Sequence, residues 1–377
     1  MAKDIGMAKK DIGMAKDIGM AKETCDQVFE KISKNDIEGL RTLLADLRDK
    51  PDFHDEHGMS PLQHAAYKGN KQICQMLIDQ GADVNAGKYE QGYTALHFAA
   101  LSGNSELCAI LLAAGAKSHA TNSIGRTASQ MAAFVGNHDC VAVINNFMPK
   151  SEVEYLTVPH GLETEPQLPP LLATPLHNLI MQVNVHPIRV ALNLHKVLLD
   201  NLDVTKKALH TLCEKEMKKG QGSSEVLAFK LHYLACVVGE VAKHRQADKQ
   251  NDVVTAFAKT CLNPSRGEEY VEQFIRDCVR EFPFRDCTIF KQMLTTLAKR
   301  DTSPPGVVVI SNAINGQRGF NDGSSQCVTC GQEKVIRKCS KCRAVQYCDR
   351  ECQRLHWFVH KKECNRETTN SNQNGVK

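Results

Sequence analysis

A period of 33 to 34 residues constrains this chain more than any other feature. The blocks GMSPLQHAAYKGN, GYTALHFAALSGN and GRTASQMAAFVGN begin at Gly58, Gly92 and Gly125, with heads 34 and 33 residues apart. Self-similarity at this spacing means one supersecondary unit repeated, each too small to bury its own apolar face and therefore stacked on the next. Ser60, Thr94 and Thr127 are placed to N-cap a first helix. The pairs Ala65-Ala66, Ala99-Ala100 and Ala132-Ala133 let neighbouring units approach closely, and Gly69, Gly103 and Gly136 stand where that helix must stop in a left-handed conformation. QICQMLI and LCAILL supply a second helix, and GADVN and GAKSH lead into the next hairpin.

These blocks resemble the ankyrin repeat. Upstream, DQVFEKISKNDIEGLRTLL fits a worn first repeat, and downstream VINNFMPK lacks the Gly-Ala step, as a capping repeat would. About four repeats are expected over residues 23–150, enough to bury a continuous core. The resemblance implies protein binding through a concave face and the hairpin tips. Tyr67, Leu101 and Phe134 follow the Ala-Ala pairs and would form an apolar row on that face, against a partner or against this chain's own helical region.

At 377 residues the chain exceeds one ordinary core, and the remainder is read as mostly α. Residues 1–22 repeat MAKDIG with no helical stripe and are expected to be disordered. Residues 151–172 read as a linker, and 173–300 as an all-helical region with apolar residues at three and four spacing. Within it Thr174-Pro175 reads as a capped helix start with proline at the first helical position. Residues 301–326 read as a second linker holding at most a short strand, and 365–377 as a disordered tail.

Sixteen cysteines are present, yet MAKDIGMAKK lacks an apolar signal core and no apolar run reaches membrane-span length. The expectation is a reducing, cytoplasmic setting, with metal ligands plus reduced thiols rather than disulfides. Nine cysteines, Cys25, Cys74, Cys108, Cys140, Cys213, Cys236, Cys261, Cys278 and Cys287, lie scattered in helical patterns and read as ordinary thiols. The other seven fall between Cys327 and Cys364 with two histidines, in the spacing Cys-x2-Cys, x8, Cys-x2-Cys, x5, Cys-x3-Cys, x7, His-x3-Cys. Four pairs of soft ligands at this density specify two tetrahedral zinc sites, every position filled by protein and the metal therefore structural.

Eight ligands are needed and nine candidates are present. The first two pairs are knuckles, and the last two, at i,i+4, would each lie on one face of a helical turn. His356 shares the four-residue row 348, 352, 356, 360, 364, but it stands about 6 Å along a helix axis from either neighbour on that row. Cys352 belongs beside Cys348, and His360 is adjacent to Cys364, so His360 is the ligand and His356 the spare. Spacing alone leaves the pairing of the four pairs open.

The run Tyr347, Cys348, Cys352, Gln353, His356, Trp357, His360 and Cys364 resembles the MYND zinc finger. The resemblance implies interleaved pairing: Cys327, Cys330, Cys348 and Cys352 on one zinc, and Cys339, Cys342, His360 and Cys364 on the other. It also implies binding of Pro-x-Leu-x-Pro peptides at Ser340, Gln353 and Trp357. Trp357, the one tryptophan, would wall a proline or else pack the core between the zinc sites. Pro166-Gln167-Leu168-Pro169-Pro170 fits the peptide pattern and would be a tethered ligand for the finger or a plain linker.

Residues 327–364 carry nine Lys/Arg against four Asp/Glu, but seven thiolates and two zinc dications bring that excess to +2. The basic residues are counter-charge for a thiolate-rich site, and no nucleic-acid partner is expected. No Gly-rich phosphate loop, Gly-x-Ser-x-Gly or His-Glu-x-x-His is present, and the Asn-His-Ser-Cys stretch of SET methyltransferases is missing, so no enzyme is expected. Ankyrin repeats, a helical middle and a MYND finger in this order resemble a family of adaptor proteins that carry signalling proteins to the primary cilium. The alternatives are a nuclear corepressor-like regulator and, at a distance, a cryptic methyltransferase.

Overall fold

The computed structural model describes residues 22–46, 51–87, 89–247, 252–299, 304–317, 326–333 and 335–373; the MAKDIG repetition lies outside them. The chain divides into two compact units, residues 1–140 and residues 141–377.

The first unit is built from helix pairs: α1 (Lys22–Ser33) with α2 (Ile37–Asp46), α3 (Pro61–Tyr67) with α4 (Lys71–Asp79), and α5 (Ala95–Leu101) with α6 (Ser105–Ala113). A fourth pair is α7 (Ala128–Val135) with α8 (His138–Asn146), whose later residues belong to the second unit. First helices stack in the order α1, α3, α5, α7, and second helices in the order α2, α4, α6. The Ala-Ala pairs make this approach possible: Ala65, Ala66, Ala99, Ala100 and Ala132 are fully buried. Gly69, Gly103 and Gly136 take φ of 69°, 75° and 82°, the left-handed helix stop expected of them.

Caps join the repeats. Ser60 and Gln63 form a reciprocal capping box at α3, and Gln63 Nε2 also donates to Ala86 O (3.0 Å) and Tyr93 O (2.7 Å) at the next hairpin. At α5 the ring of His97 takes that place: Nδ1 accepts from the Thr94 N–H at 3.2 Å, and Nε2 donates to Arg126 O at 3.0 Å. In the other direction, Asn104 Nδ2 donates to Gly69 O (2.9 Å) and Asn137 Nδ2 to Ala100 O (2.9 Å). One residue type at one repeat position thus satisfies a helix end and stitches two units together.

The second unit is helical throughout its middle: α9 (Lys150–Glu154), α10 (Pro170–Met181), α11 (Pro187–Leu192), α12 (Lys196–Leu199), α13 (Leu202–Lys218), α14 (Glu225–Ala247), α15 (Val253–Cys261), α16 (Gly267–Arg280), α17 (Thr288–Leu297) and α18 (Gly306–Asn315). Helix α14 is the axis of the core, with Phe229, Leu231, Tyr233, Leu234, Val237, Val238 and Val241 all fully buried; a helix apolar all round must be covered all round. Two of its buried polar side chains are tied to the surrounding backbone. The Lys230 ammonium donates to Asn146 Oδ1, Ile180 O and Gln182 O, holding the last carbonyls of α10, and the Tyr233 hydroxyl donates to Val185 O at 2.8 Å.

Five expectations are corrected here. Residues 151–172 are not a plain linker: α9 and a 3₁₀ turn at Tyr155–Thr157 bury Val153 and Leu156, and the Leu168 N–H donates to Leu156 O at 2.9 Å. Leu168 is fully buried in the helical core and is not a ligand of the finger. Helix α10 starts at Pro170, so Pro175 lies inside it rather than at its first position. Residues 306–315 form α18, not a strand; the β-branched VVVI run suggests β, but Val309, Ile310 and Ile314 share one helical face packed on α16 and α17. Finally, the helix that holds the last metal ligands continues to Gln373, past the expected start of disorder at residue 365, because extending an anchored helix avoids the nucleation cost.

Candidate metal centre

The finger begins with the Cys327–Cys330 knuckle, where the Gly331 N–H returns to Cys327 O at 2.8 Å. Strands β1 (Arg337–Lys338) and β2 (Gln346–Tyr347) pair antiparallel, Arg337 opposite Tyr347. They deliver Cys339 and Cys348 at their ends. Helix α19 (Arg350–Gln373) follows. Cys348 precedes this helix, so Cys348 and Cys352 do not share a helical face as their spacing suggests. Asp349 caps the start instead, its Oδ1 accepting from the Cys352 N–H at 2.8 Å. His360 and Cys364 do lie one turn apart on α19.

Two groups of four ligand atoms form, each within 4.8 Å of one another: Cys327, Cys330, Cys348, Cys352, and Cys339, Cys342, His360, Cys364. In the first, sulfur separations are 3.4 Å (Cys348–Cys352) and 3.6 Å (Cys330–Cys348 and Cys330–Cys352). In the second, Cys342 Sγ is 3.3 Å from His360 Nε2. Disulfides would require about 2.05 Å. Zn–S bonds of about 2.3 Å in a tetrahedron give S–S edges of about 3.8 Å, so both groups fit the ion. The finger's cofactor is two structural zinc ions, which cross-link knuckles, hairpin and helix.

His356 belongs to neither group. Its ring stacks over His360 with centroids 6.1 Å apart, and its Nδ1 accepts from the Tyr347 hydroxyl at 3.0 Å. Burial lowers its pKa, so the ring is held as a neutral acceptor. Trp357 is 45% exposed, with its ring at 6.1 Å from His360. Gln353, one turn earlier on α19, is half-buried, and Ser340 is exposed. On the ankyrin stack Phe134 is 85% and Tyr67 61% exposed, while Leu101 is half-buried. Tyr67 packs edge-on against Phe98 at 5.9 Å.

No local pattern marks the reach of the helical region into the first cluster. Arg189 on α11 donates from Nη2 to Cys348 Sγ at 2.9 Å, and its two terminal nitrogens reach Asp349 Oδ2 at 3.4 and 3.5 Å. Burial alone would lower the Arg189 pKa, but the neighbouring Cys330, Cys348, Cys352 and Asp349 charges push it up. Asn184 Nδ2 donates to Cys330 O at 3.1 Å, and Leu192 packs on the cysteines. Four thiolates around one dication leave two negative charges, and Arg189 offsets one of them. Removing such a partner typically costs roughly ten- to a hundredfold in metal affinity. Arg189→Ala is therefore expected to speed zinc transfer to a chromophoric chelator from the first cluster alone. Alkylation mapping should find Cys327, Cys330, Cys348 and Cys352 exposed before Cys339, Cys342 and Cys364; unchanged release and unchanged order would refute the role.

A repeat stack followed by a two-zinc finger defines a protein-interaction adaptor with a structural metal module. The ankyrin-repeat family matches residues 29–122 in three copies, and the MYND-finger family matches residues 327–364. The chain is 32% identical over 351 residues to Dauer abnormal formation protein 25 of Caenorhabditis elegans, covering 89% of each chain, and it belongs to that family of ankyrin-repeat, MYND-finger proteins. Shorter matches include SET domain-containing protein 14 of Caenorhabditis elegans, 50% identical over 40 residues (11% of this chain, 9% of that protein). Another is the Zinc finger MYND domain-containing protein 10 homolog of Drosophila melanogaster, 43% identical over 49 residues (13% and 11%). These two likenesses are only about as long as the finger. Among the described residues no helix is long and apolar enough to cross a membrane.

Proposed function

We propose that this chain is a non-enzymatic adaptor that holds one protein on its ankyrin face and a proline-containing peptide on its finger, and so escorts signalling proteins to the primary cilium. The exposure of Trp357 carries the peptide half of this reading: an indole 45% open to solvent, with Gln353 on the preceding turn, offers an apolar wall beside an amide. That wall suits proline, and the amide suits an extended backbone. Tyr67 and Phe134 support the other half, as large apolar side chains left open on a repeat stack. The ciliary destination follows from the family resemblance.

Trp357 is the chain's one indole, so its fluorescence reports the finger directly. Titrating a Pro-x-Leu-x-Pro peptide into the zinc-loaded chain is expected to shift the emission saturably. In parallel, an immobilised peptide should retain the wild-type chain and lose Trp357→Ala. Serine at Tyr67, Leu101 and Phe134 together should abolish a different set of captured partners while leaving helical content and peptide binding intact. No emission shift at millimolar peptide ends the peptide reading. In ciliated cells depleted of the protein, loss of signalling receptors from the cilium should be rescued by wild type and not by the variant that fails to bind; normal receptor content after depletion ends the ciliary reading.

A further inference from the structure

Two of the nine cysteines outside the finger are not placed like ordinary thiols. Cys236 on α14 and Cys278 on α16 line a cavity of about 360 Å³, together with His232 and His210. Cys236 is partly accessible and Cys278 is buried. His232 Nε2 lies 2.9 Å from Cys278 O, which fixes the proton on that nitrogen, and 3.5 Å from Cys236 Sγ. The same N–H therefore faces the Cys236 sulfur. Cys278 lines the same cavity, and its carbonyl and the Cys236 sulfur meet at the one His232 nitrogen. The His232 N–H is thus shared between the Cys278 carbonyl and the Cys236 sulfur. The imidazole is held in place by the Phe282 ring at 5.3 Å, and its buried Nδ1 has no hydrogen-bond partner among the described residues.

We propose that Cys236 and Cys278 form a peroxide-reactive dithiol, in which Cys236 attacks and Cys278 resolves. The Cys236 thiolate attacks one oxygen of hydrogen peroxide. The O–O bond breaks, the departing hydroxide takes a proton and leaves as water, and Cys236 becomes a sulfenic acid. The Cys278 sulfur then attacks the Cys236 sulfur. The S–O bond breaks, and hydroxide leaves with the Cys278 proton as a second water. Two electrons pass from the dithiol to the peroxide, and a disulfide joins α14 to α16.

The electrostatics agree. The neighbouring Cys278 thiol lowers the Cys236 pKa to about 6 against the opposing effect of burial, with His232 adding to the fall. Burial and the neighbouring Cys236 charge push Cys278 the other way. This is the division of labour between an attacking and a resolving thiol. The cavity wall carries Lys206 and Lys243 against Glu240, Asp277 and Glu281, so it does not favour anionic reagents such as oxidised glutathione over a small neutral oxidant. The ankyrin unit supplies a contrast: the thiols of Cys108 and Cys140 also influence one another, but both are fully buried.

The test uses the full, zinc-loaded chain treated with graded hydrogen peroxide, then peptide mapping without reduction. A Cys236–Cys278 cross-link is expected before zinc leaves the finger, with Cys108 and Cys140 still reduced. Cys278→Ser should leave Cys236 as a sulfenic acid that dimedone traps. His232→Gln should slow oxidation of Cys236 by about tenfold with the cross-link still formed in the end. If the finger's cysteines oxidise while Cys236 remains a thiol, or if Cys278→Ser yields no trapped sulfenate, the proposal fails. Should His232→Gln not fold, the Cys278→Ser result alone decides.

Discussion

Replacing His360 by alanine is expected to cut the zinc content of the purified chain from two ions to about one and to unfold the part of the finger built on the second cluster. His360 Nε2 and the sulfurs of Cys339, Cys342 and Cys364 are the four donors there. Three thiols remain in the variant, with water as the alternative fourth donor. Structural zinc contributes on the order of 10–16 kcal/mol of apparent binding energy in small zinc-dependent folds, so a weakened site loses metal and structure together. His356→Ala should behave differently. It removes a neutral ring that accepts one hydrogen bond from Tyr347, worth about 1 kcal/mol, and both ions should stay. Metal analysis on both variants, with a thermal melt of each, separates them. Equal zinc loss from the two would overturn the assignment of the ligand and the spare.

Leu168→Ala should lower the stability of the second unit by about 2–5 kcal/mol, the range for a leucine cut back to alanine in a packed core. Leu168 is fully buried with Leu156, Leu172 and Leu176, and its backbone N–H is tied to Leu156 O. The midpoint of urea unfolding should fall, with no change in Trp357 emission under native conditions. A tethered ligand would give the reverse: unchanged stability and a shifted indole spectrum. That second pattern would return residues 166–170 to the finger's groove and contradict the packing described above.

What was legible in the sequence is what short-range chemistry writes there. The repeat stack announces itself because caps, small residues and left-handed glycines must recur at fixed offsets in every unit. The metal ligands announce themselves because thiolates in knuckles have few other uses. Residues set by long-range packing stayed hidden. Pro169 and Pro170 look like linker residues but serve as the cap and first residue of α10. The Val-Val-Val-Ile of α18 has the composition of a strand and becomes a helix because α16 and α17 offer it a groove. Arg189 sits in a run of apolar residues with nothing local to mark it, and the sulfur it meets is 159 residues further on. His232 and Cys236 stand one turn apart on α14, a pair visible in LHYLACVV, but its meaning depends on Cys278, which only folding brings there.

The bond from Arg189 to Cys348 and the burial of Leu355 in the helical core have a consequence for how the protein is made. During synthesis Arg189 leaves the ribosome well before the first zinc ligand, Cys327. The helical body can be in place as a template before any finger cysteine appears, and the last ligand to emerge, Cys364, closes the second cluster against a surface already formed. A finger cut out at residue 326 would keep all eight ligands yet lose its guanidinium and expose Leu355 to water. The zinc module is therefore not a portable cassette. Grafting it onto another protein without α11 would transfer the metal-binding residues and leave behind part of what keeps the metal in them.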